Sequence, residues 1–314
     1  KMGTFENANT SFHQAARCKR YTNEVLAFSM VKEEELLRAT EEIQNLTYRQ
    51  GEYKIFKVFE PKERLIMALP FYDRVVQHMI CNAIQPVFEN GFYYHSYACR
   101  SGKGMHAASD TLYQWMYETE VKQGLRMYAF KGDISKYFAS IPHDKLKDEN
   151  RRYIGDKKAL MLMDDIIDHN GILPDGVGIP VGNLTSQLFA NVYGNKLDKF
   201  CKHVLHIPYF VRYMDDFIIL DDSKERLHYY RSKIEEFLDQ RLQLSLNNKT
   251  ALRPIRCGVE FVGCNIYPDH VNIKKQTTLR IKRRLSVLKR DYHEYKVSLA
   301  KVSETVNSYK ALLK

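Results

Sequence analysis

The chain is poor in the residues that mark several protein classes. Its 314 residues include one tryptophan, nine prolines and fifteen glycines, which excludes a collagen-like or Gly/Pro-rich disordered chain. Its six cysteines are Cys18, Cys81, Cys99, Cys201, Cys257 and Cys264. No two of them form a Cys-x-x-Cys pair, so neither a zinc site nor a disulfide framework is expected, and a reducing cytoplasm is the expected location. No apolar run approaches the ~18 residues of a membrane-crossing helix. No charged-then-apolar leader opens the chain, so secretion is not expected. Neither an internal repeat nor a low-complexity tract is present. His13, His78, His95 and His106 lack ligand spacing and read as structural. What remains is globular: 44% hydrophobic and 27% charged residues, enough for two ordinary domains or one with lobes.

The net charge is +10, and it is unevenly placed. From Lys274 to Lys314 there are twelve Lys/Arg against three Asp/Glu; the first 273 residues hold 36 basic and 35 acidic groups. A bound polyanion is the natural reading of that basic tail. A solvated basic helix without a partner is the alternative.

Residues 1–30 are polar and aromatic, with Arg17, Lys19, Arg20 and Tyr21 close together. Apolar spacing predicts a helix over 33–50, a strand over 53–59, a returning strand over 64–69 and a helix over 71–88. Further on, a strand is predicted over 125–134 and helical pattern over 144–170. A loop follows at 176–182, then a buried helix over 183–204 that opens on capping residues. Two short strands, 209–213 and 217–220, flank Met214-Asp215-Asp216. A helix is expected over 224–242, a strand with Gly263 inside it over 259–267, and basic helix from Thr277 onward. Strands and helices in mixed order with a hairpin predict an α+β core, not a doubly wound parallel sheet.

Three segments carry chemistry. In Tyr213-Met-Asp-Asp216, adjacent acids lie between apolar strands. They suit either an ordinary Asp-rich turn or a carboxylate aimed at a cation. In Phe130-Lys-Gly-Asp-Ile-Ser-Lys-Tyr-Phe138, an Asp ends an apolar strand; alone it reads as a cap. If the two strands are neighbours, Asp133 lies beside Asp215, and three carboxylates can hold two divalent ions. Hard oxygen ligands without His or Cys favour Mg2+. In Gly178-Ile-Pro-Val-Gly182, flanking glycines let backbone approach a ligand closely.

Together, and in this order, these segments resemble motifs A, B and C of reverse transcriptases. Glu60-Pro-Lys-Glu-Arg64 and Asp73-Arg-Val-Val-Gln77 resemble the family's fingers motifs, Leu244–Thr250 its motif D, and Glu260-Phe-Val-Gly-Cys264 its primer grip. The resemblance covers roughly residues 50–270. It implies a right-hand polymerase: N-terminal extension and fingers with part of the palm over 1–125, a palm with an antiparallel sheet over 126–273, and a basic helical thumb over 274–314. The sequence is helical up to Lys314, so the thumb is expected to continue. The run Gly182–Tyr193 (Gly-Asn-Leu-Thr-Ser-Gln-Leu-Phe-Ala-Asn-Val-Tyr) and Tyr94–Gly104 resemble the reverse transcriptases of diversity-generating retroelements. That subgroup implies error-prone, adenine-mutagenic cDNA synthesis from a template repeat. It also implies a small basic helical-bundle partner, the accessory variability determinant. The alternatives are another bacterial reverse transcriptase, of phage-defence or group II intron type, and a noncatalytic RNA-binding protein on the same scaffold.

The resemblance also assigns roles. Asp133, Asp215 and the Ile134 carbonyl would hold two Mg2+ ions, with Asp216 completing the cluster. Phe138 would exclude a ribose 2′-hydroxyl, unless it is a core aromatic, while its neighbour Tyr137 reads as structural. Lys62, Arg64 and Arg74 would clamp the dNTP triphosphate, Arg74 foremost; Lys62 and Arg64 also suit solvated hairpin charges. Val181 stands where many relatives place Gln, and with Gly182 it would border the nucleotide. Lys249 would protonate the leaving pyrophosphate, or else face only solvent. Gly263 would let the primer grip approach the primer. Lys274, Lys275, Arg280, Lys282, Arg283 and Arg284 would contact backbone phosphates of the template RNA and cDNA.

Overall fold

In the computed structural model, which describes residues 1–59, 63–248 and 250–313, the described chain forms twelve α-helices and three antiparallel sheets. Helices α1 (Phe5–Ala15), α2 (Asn23–Met30) and α3 (Lys32–Asn45) precede a hairpin of β1 (Lys54–Val58) and β2 (Arg64–Ala68). Then come α4 (Phe71–Glu89) and α5 (Met105–Met116), β3 (Tyr128–Asp133), and α6 (Tyr137–Ser140), α7 (His143–Arg151), α8 (Lys157–Asp168) and α9 (Leu184–Lys199). Strands β4 (Tyr209–Tyr213) and β5 (Asp216–Asp221) lead to α10 (Lys224–Phe237), β6 (Ala251–Pro254), β7 (Val259–Phe261), β8 (Cys264–Ile266) and β9 (Val271–Ile273). Helices α11 (Lys275–His293) and α12 (Leu299–Leu313) close the described chain.

The central sheet has the order β4-β5-β3-β6 and is antiparallel throughout. Its strands alternate between two buried faces, as period-2 side chains must. Phe130, Phe210, Phe217 and Ile219 join the core against the helices, whereas Ala129, Val211, Ile218 and Leu220 join a second cluster with α5 and the β7–β9 sheet. With both faces covered, β5 reads as a continuous apolar run.

The first core cluster runs without a break from Ala8 to Leu244, so the N-terminal helices belong to it. Phe12 stacks on Phe28 at 5.6 Å, and both rings meet Phe71 of α4 edge-on. Patterning reads residues 1–30 only as polar and aromatic, because α1 and α2 are short and each buries few side chains. Two other expectations change. The helical pattern over 144–170 is two helices, broken at 152–156. The segment 259–267 is a hairpin, with Gly263 in its turn at φ +87°. Helix α5 carried no prior expectation.

Candidate active site

Asp133 ends β3 and is the direct cross-strand partner of Asp216, which opens β5. The register therefore sets Asp216, not Asp215, opposite Asp133. Asp215 lies one residue back in the turn, where its carbonyl accepts from the Ile134 N–H at 3.1 Å. Tyr213 and Asp216 also pair, which leaves Met214 and Asp215 as a two-residue hairpin loop, with Met214 at φ +58°. Glycine at 132 is a steric necessity. A Cβ there would stand 2.1 Å from the ring of Phe217, its cross-strand partner.

Burial pushes the Asp215 carboxyl up to about 6, helped by the charges of Asp216 and Asp133, while Arg64 pulls the other way. Burial also raises Asp216, opposed by Lys131, whose ammonium stands 3.8 Å away, and reinforced by Asp133. Among the described residues no three His, Cys, Asp or Glu side chains stand close enough together to hold a metal ion. The three aspartates nonetheless fit a hard divalent cation. They are all-oxygen donors at one sheet corner, and the charge of Asp133 helps hold the Asp215 and Asp216 carboxyls up.

The 178–182 loop bridges the chain after β3 and strand β2. The Gly178 and Ile179 N–H groups donate to Ile141 and Phe138 carbonyls at 2.8 Å each, and Met67 of β2 donates to the Val181 carbonyl at 3.0 Å. Gly182 has φ +127°, and a Cβ would come 2.8 Å from the Met67 carbonyl. The β1–β2 hairpin and the Phe138 backbone are thus tied to one short loop. Phe138 is half-buried; Tyr137 is buried, and its hydroxyl donates to the Ala190 carbonyl at 2.6 Å. Asn183 does not cap α9 with its side chain; the Gln77 side-chain oxygen accepts from Leu184 N–H instead, at 3.0 Å.

Of the cations expected to clamp the triphosphate, Arg64 is exposed at the start of β2 and its charge is felt at Asp215. Arg74 is engaged elsewhere: its guanidinium pairs with Glu24 of α2 and lies over the Phe71 ring. Asp73 beside it is buried and accepts from the Tyr48 hydroxyl at 2.7 Å and Gly51 N–H at 3.1 Å. In this structure the polar groups of Asp73 and Arg74 are engaged within the protein. Lys62 and Lys249 lie outside the described residues. The segment before Lys249 runs beside the end of β3, with Asn247 N–H donating to the Asp133 carbonyl at 2.7 Å.

Gly263 is exposed with open space where a Cβ would go. Lys274 is half-buried and pairs with Glu260 at 2.5 Å, whereas Lys275, Arg280, Lys282, Arg283 and Arg284 are exposed on α11. Sequence reasoning missed Lys131 and Glu260. The Lys131 ammonium stands 3.8 Å from Asp216 and donates to the Glu260 carbonyl at 3.0 Å, so it links the acids to the β7–β8 hairpin. The available signal was period 2: Lys131 shares a strand face with Asp133.

A family model described as reverse transcriptase (RNA-dependent DNA polymerase) matches residues 57–266. Protein YkfC of Escherichia coli is 25% identical over 234 residues, covering 61% of this chain and 60% of that protein. An uncharacterized 91 kDa protein in the cob intron of Schizosaccharomyces pombe is 29% identical over 137 residues, 42% of this chain and 16% of its own length. The chain thus spans at most 60% of these two relatives. Among solved structures, apo telomerase from Candida tropicalis truncated from its C-terminal domain superposes with a TM-score of 0.53 at 14% identity, covering 76% of this chain and 60% of that one. Telomerase from Candida albicans with a fragment of telomeric RNA gives 0.53 at 11%, covering 78% and 51%. At such identities the likeness shows the right-hand polymerase fold and nothing finer. No helix among the described residues is long and apolar enough to cross a membrane.

Proposed function

Since the chain belongs to the reverse transcriptase (RNA-dependent DNA polymerase) family over residues 57–266, we propose that it copies RNA into cDNA by nucleotidyl transfer at Asp133, Asp215 and Asp216. The observation that carries this is the register of β3 on β5, which sets Asp133 against Asp216 and beside the Asp215 turn. Two Mg2+ ions held by Asp133, Asp215 and the Ile134 carbonyl would lower the pKa of the primer hydroxyl and stabilise the leaving pyrophosphate. Asp216 adds negative charge to the cluster.

The chain's own side chains do the rest. Arg64 at the fingers tip offers a planar donor fork to the triphosphate, and Lys62 would add a point charge beside it. Phe138, tied through its carbonyl to the 178–182 loop, floors the sugar and disfavours ribose. Val181 cannot donate a hydrogen bond to the incoming nucleotide, so geometry there is less strictly controlled. Lys249 would supply the proton to pyrophosphate. The exposed basic face of α11 holds the backbone phosphates of template RNA and cDNA. The division into fingers (1–125), palm (126–273) and thumb (274–314) follows these roles.

Within the family, the Gly182–Tyr193 run and Val181 support the diversity-generating subgroup. That reading brings adenine-directed errors and the accessory variability determinant as partner. A second reading, a group II intron-related enzyme, is favoured by the intron origin of the S. pombe relative. Primer extension on an RNA template with Mg2+ and dNTPs, with and without a neighbouring small basic protein, tests both. Errors concentrated opposite template adenines are expected. Accurate cDNA would move the chain to the second reading, and RNA binding without synthesis in wild type would overturn the catalytic one.

A further inference from the structure

Arg212 heads the largest side chains fully enclosed in the described protein, and it lies one residue before the Tyr-Met-Asp-Asp segment. Four of its five N–H groups have partners. Nε and Nη2 grip both carboxylate oxygens of Asp198 at 2.6 and 2.7 Å. Nη2 also donates to the Ser96 hydroxyl at 3.0 Å, and Nη1 donates to the Met214 carbonyl at 2.9 Å.

We propose that Arg212, held by Asp198, is a positioning residue that fixes the hairpin turn bearing Asp215, and so sets the spacing of the metal-binding carboxylates. This rests on the active-site reading above.

A two-residue hairpin loop with positive φ at its first central position is the type that favours glycine there. This chain has methionine at φ +58°, a conformation that costs a side-chain-bearing residue about 1–2 kcal/mol. Something must hold it, and the guanidinium hydrogen bond to the carbonyl of that same residue does so. Asp215 is the next residue, so the direction of its carboxylate follows from the turn.

Stability alone does not explain the ion pair. Both partners have no solvent exposure, and such pairs commonly contribute no more than apolar replacements would. An apolar side chain at 212, however, could not reach the Met214 carbonyl with a donor.

The slot for the guanidinium is made by α9. Ala190, Gly194 and Asp198 recur every four residues and line one stripe of that helix. The Ala190 carbonyl receives the Tyr137 hydroxyl, and Asp198 receives Arg212. A Cβ on Gly194 would stand 2.7 Å from the guanidinium and 2.8 Å from the Tyr137 hydroxyl. One helix face thereby anchors Tyr137, four residues past Asp133, and the turn that carries Asp215. The same helix begins directly after Gly182, so the nucleotide-side loop and the carboxylates are referred to a single rigid element.

The test compares Arg212→Lys with wild type on a primer–template blocked by a dideoxy end, reading Mn2+ affinity by electron paramagnetic resonance. Lysine keeps a charge for Asp198 but has no planar fork to serve Met214 as well. Mn2+ affinity should fall about tenfold or more, the range seen when groups supporting a metal ligand are removed. Primer–template affinity should stay within about twofold, because no contact with nucleic acid is lost. Met214→Gly in the Arg212→Lys background should restore much of the Mn2+ affinity, since glycine adopts that turn unaided. A merely structural arginine predicts no such rescue.

If Arg212→Lys fails to fold, Ser96→Ala gives the same reading with a smaller loss. A folded Arg212→Lys that binds Mn2+ as wild type does, or a Met214→Gly second change that restores nothing, overturns the proposal. Wild type that neither binds Mn2+ nor extends an open primer overturns instead the active-site reading beneath it, before any variant is compared.

Discussion

Gly132→Ala should damage the protein through a single methyl group. A Cβ at 132 would meet three carbons of the Phe217 ring at 2.1, 2.5 and 2.6 Å. Ordinary carbon–carbon contact is about 3.5–4.0 Å, so the ring must move by more than an ångström. It has nowhere to go: Phe217 is fully buried, and the Phe130 and Phe210 rings stand 5.9 Å from it on either side. Overpacking of this kind costs about 1–3 kcal/mol. Lower unfolded-state entropy of alanine returns about 0.4–1 kcal/mol. A net loss near 1–2 kcal/mol is therefore expected, read as a shift in urea midpoint at constant slope. Activity should fall further than stability, because the pair next along these strands is Asp133 and Asp216. Phe217→Leu in the same background should recover part of both losses, giving a favourable coupling in a double-mutant cycle. A Gly132→Ala protein of unchanged midpoint, or a Phe217→Leu second change that makes matters worse, would defeat this account.

Val181→Gln changes only a half-buried side chain, since the carbonyl it leaves in place already binds Met67; misincorporation opposite adenine should fall, and an unchanged error spectrum in sequenced cDNA removes the idea. Replacing Arg280, Lys282, Arg283 and Arg284 by Gln should flatten the salt dependence of primer–template binding by about 0.7–0.9 per lost phosphate contact; an unaltered slope would place the nucleic acid elsewhere. His95 gives a pH prediction. Burial, with the charges of Lys103 and Lys202, pushes its imidazole down from 6.5 to about 4. Between those values the unfolded chain binds a proton that the folded chain does not, so stability is full above the upper value and is lost as pH falls toward the lower. Solvent screening of a half-exposed ring limits the loss to about 1–2 kcal/mol. His95→Gln should shrink the drop in urea midpoint between pH 7 and pH 5, and a drop of the same size would assign it to other groups.

Much of the site was legible in the sequence because it is written in short, continuous segments. The three aspartates, the glycine-flanked loop and the two strands around Met214 could each be read locally. The pairing of β3 with both β5 and β6 could not, because β6 is distant in sequence and carries no signal that names its neighbour. Whether Asp133 faces Asp215 or Asp216 is a matter of one residue of register, which pattern leaves open and the full ladder of cross-strand pairs decides. Helices α1 and α2 were missed for a different reason: α1 buries only Ala8, Ser11 and Phe12 and α2 only Val25 and Phe28, too few apolar positions for a clear pattern.

Arg74 marks the sharper limit. Its segment matches a fingers motif, yet the side chain turns to Glu24, fifty residues earlier in the chain. A long, flexible cation goes where its counter-charge and desolvation balance lead it, and neither is encoded near it. Glycine behaves in the opposite way. Gly132, Gly182 and Gly194 were all plain in the sequence, and each marks a place where another group comes within 3 Å of the missing Cβ: a ring, a carbonyl and a guanidinium. Of the three, only Gly182 was read as a place of close backbone approach; Gly132 and Gly194 carried no such reading. The Arg212 guanidinium, against Gly194 and bonded to the Met214 carbonyl, ties the turn before β5 to α9 as well as to the strands.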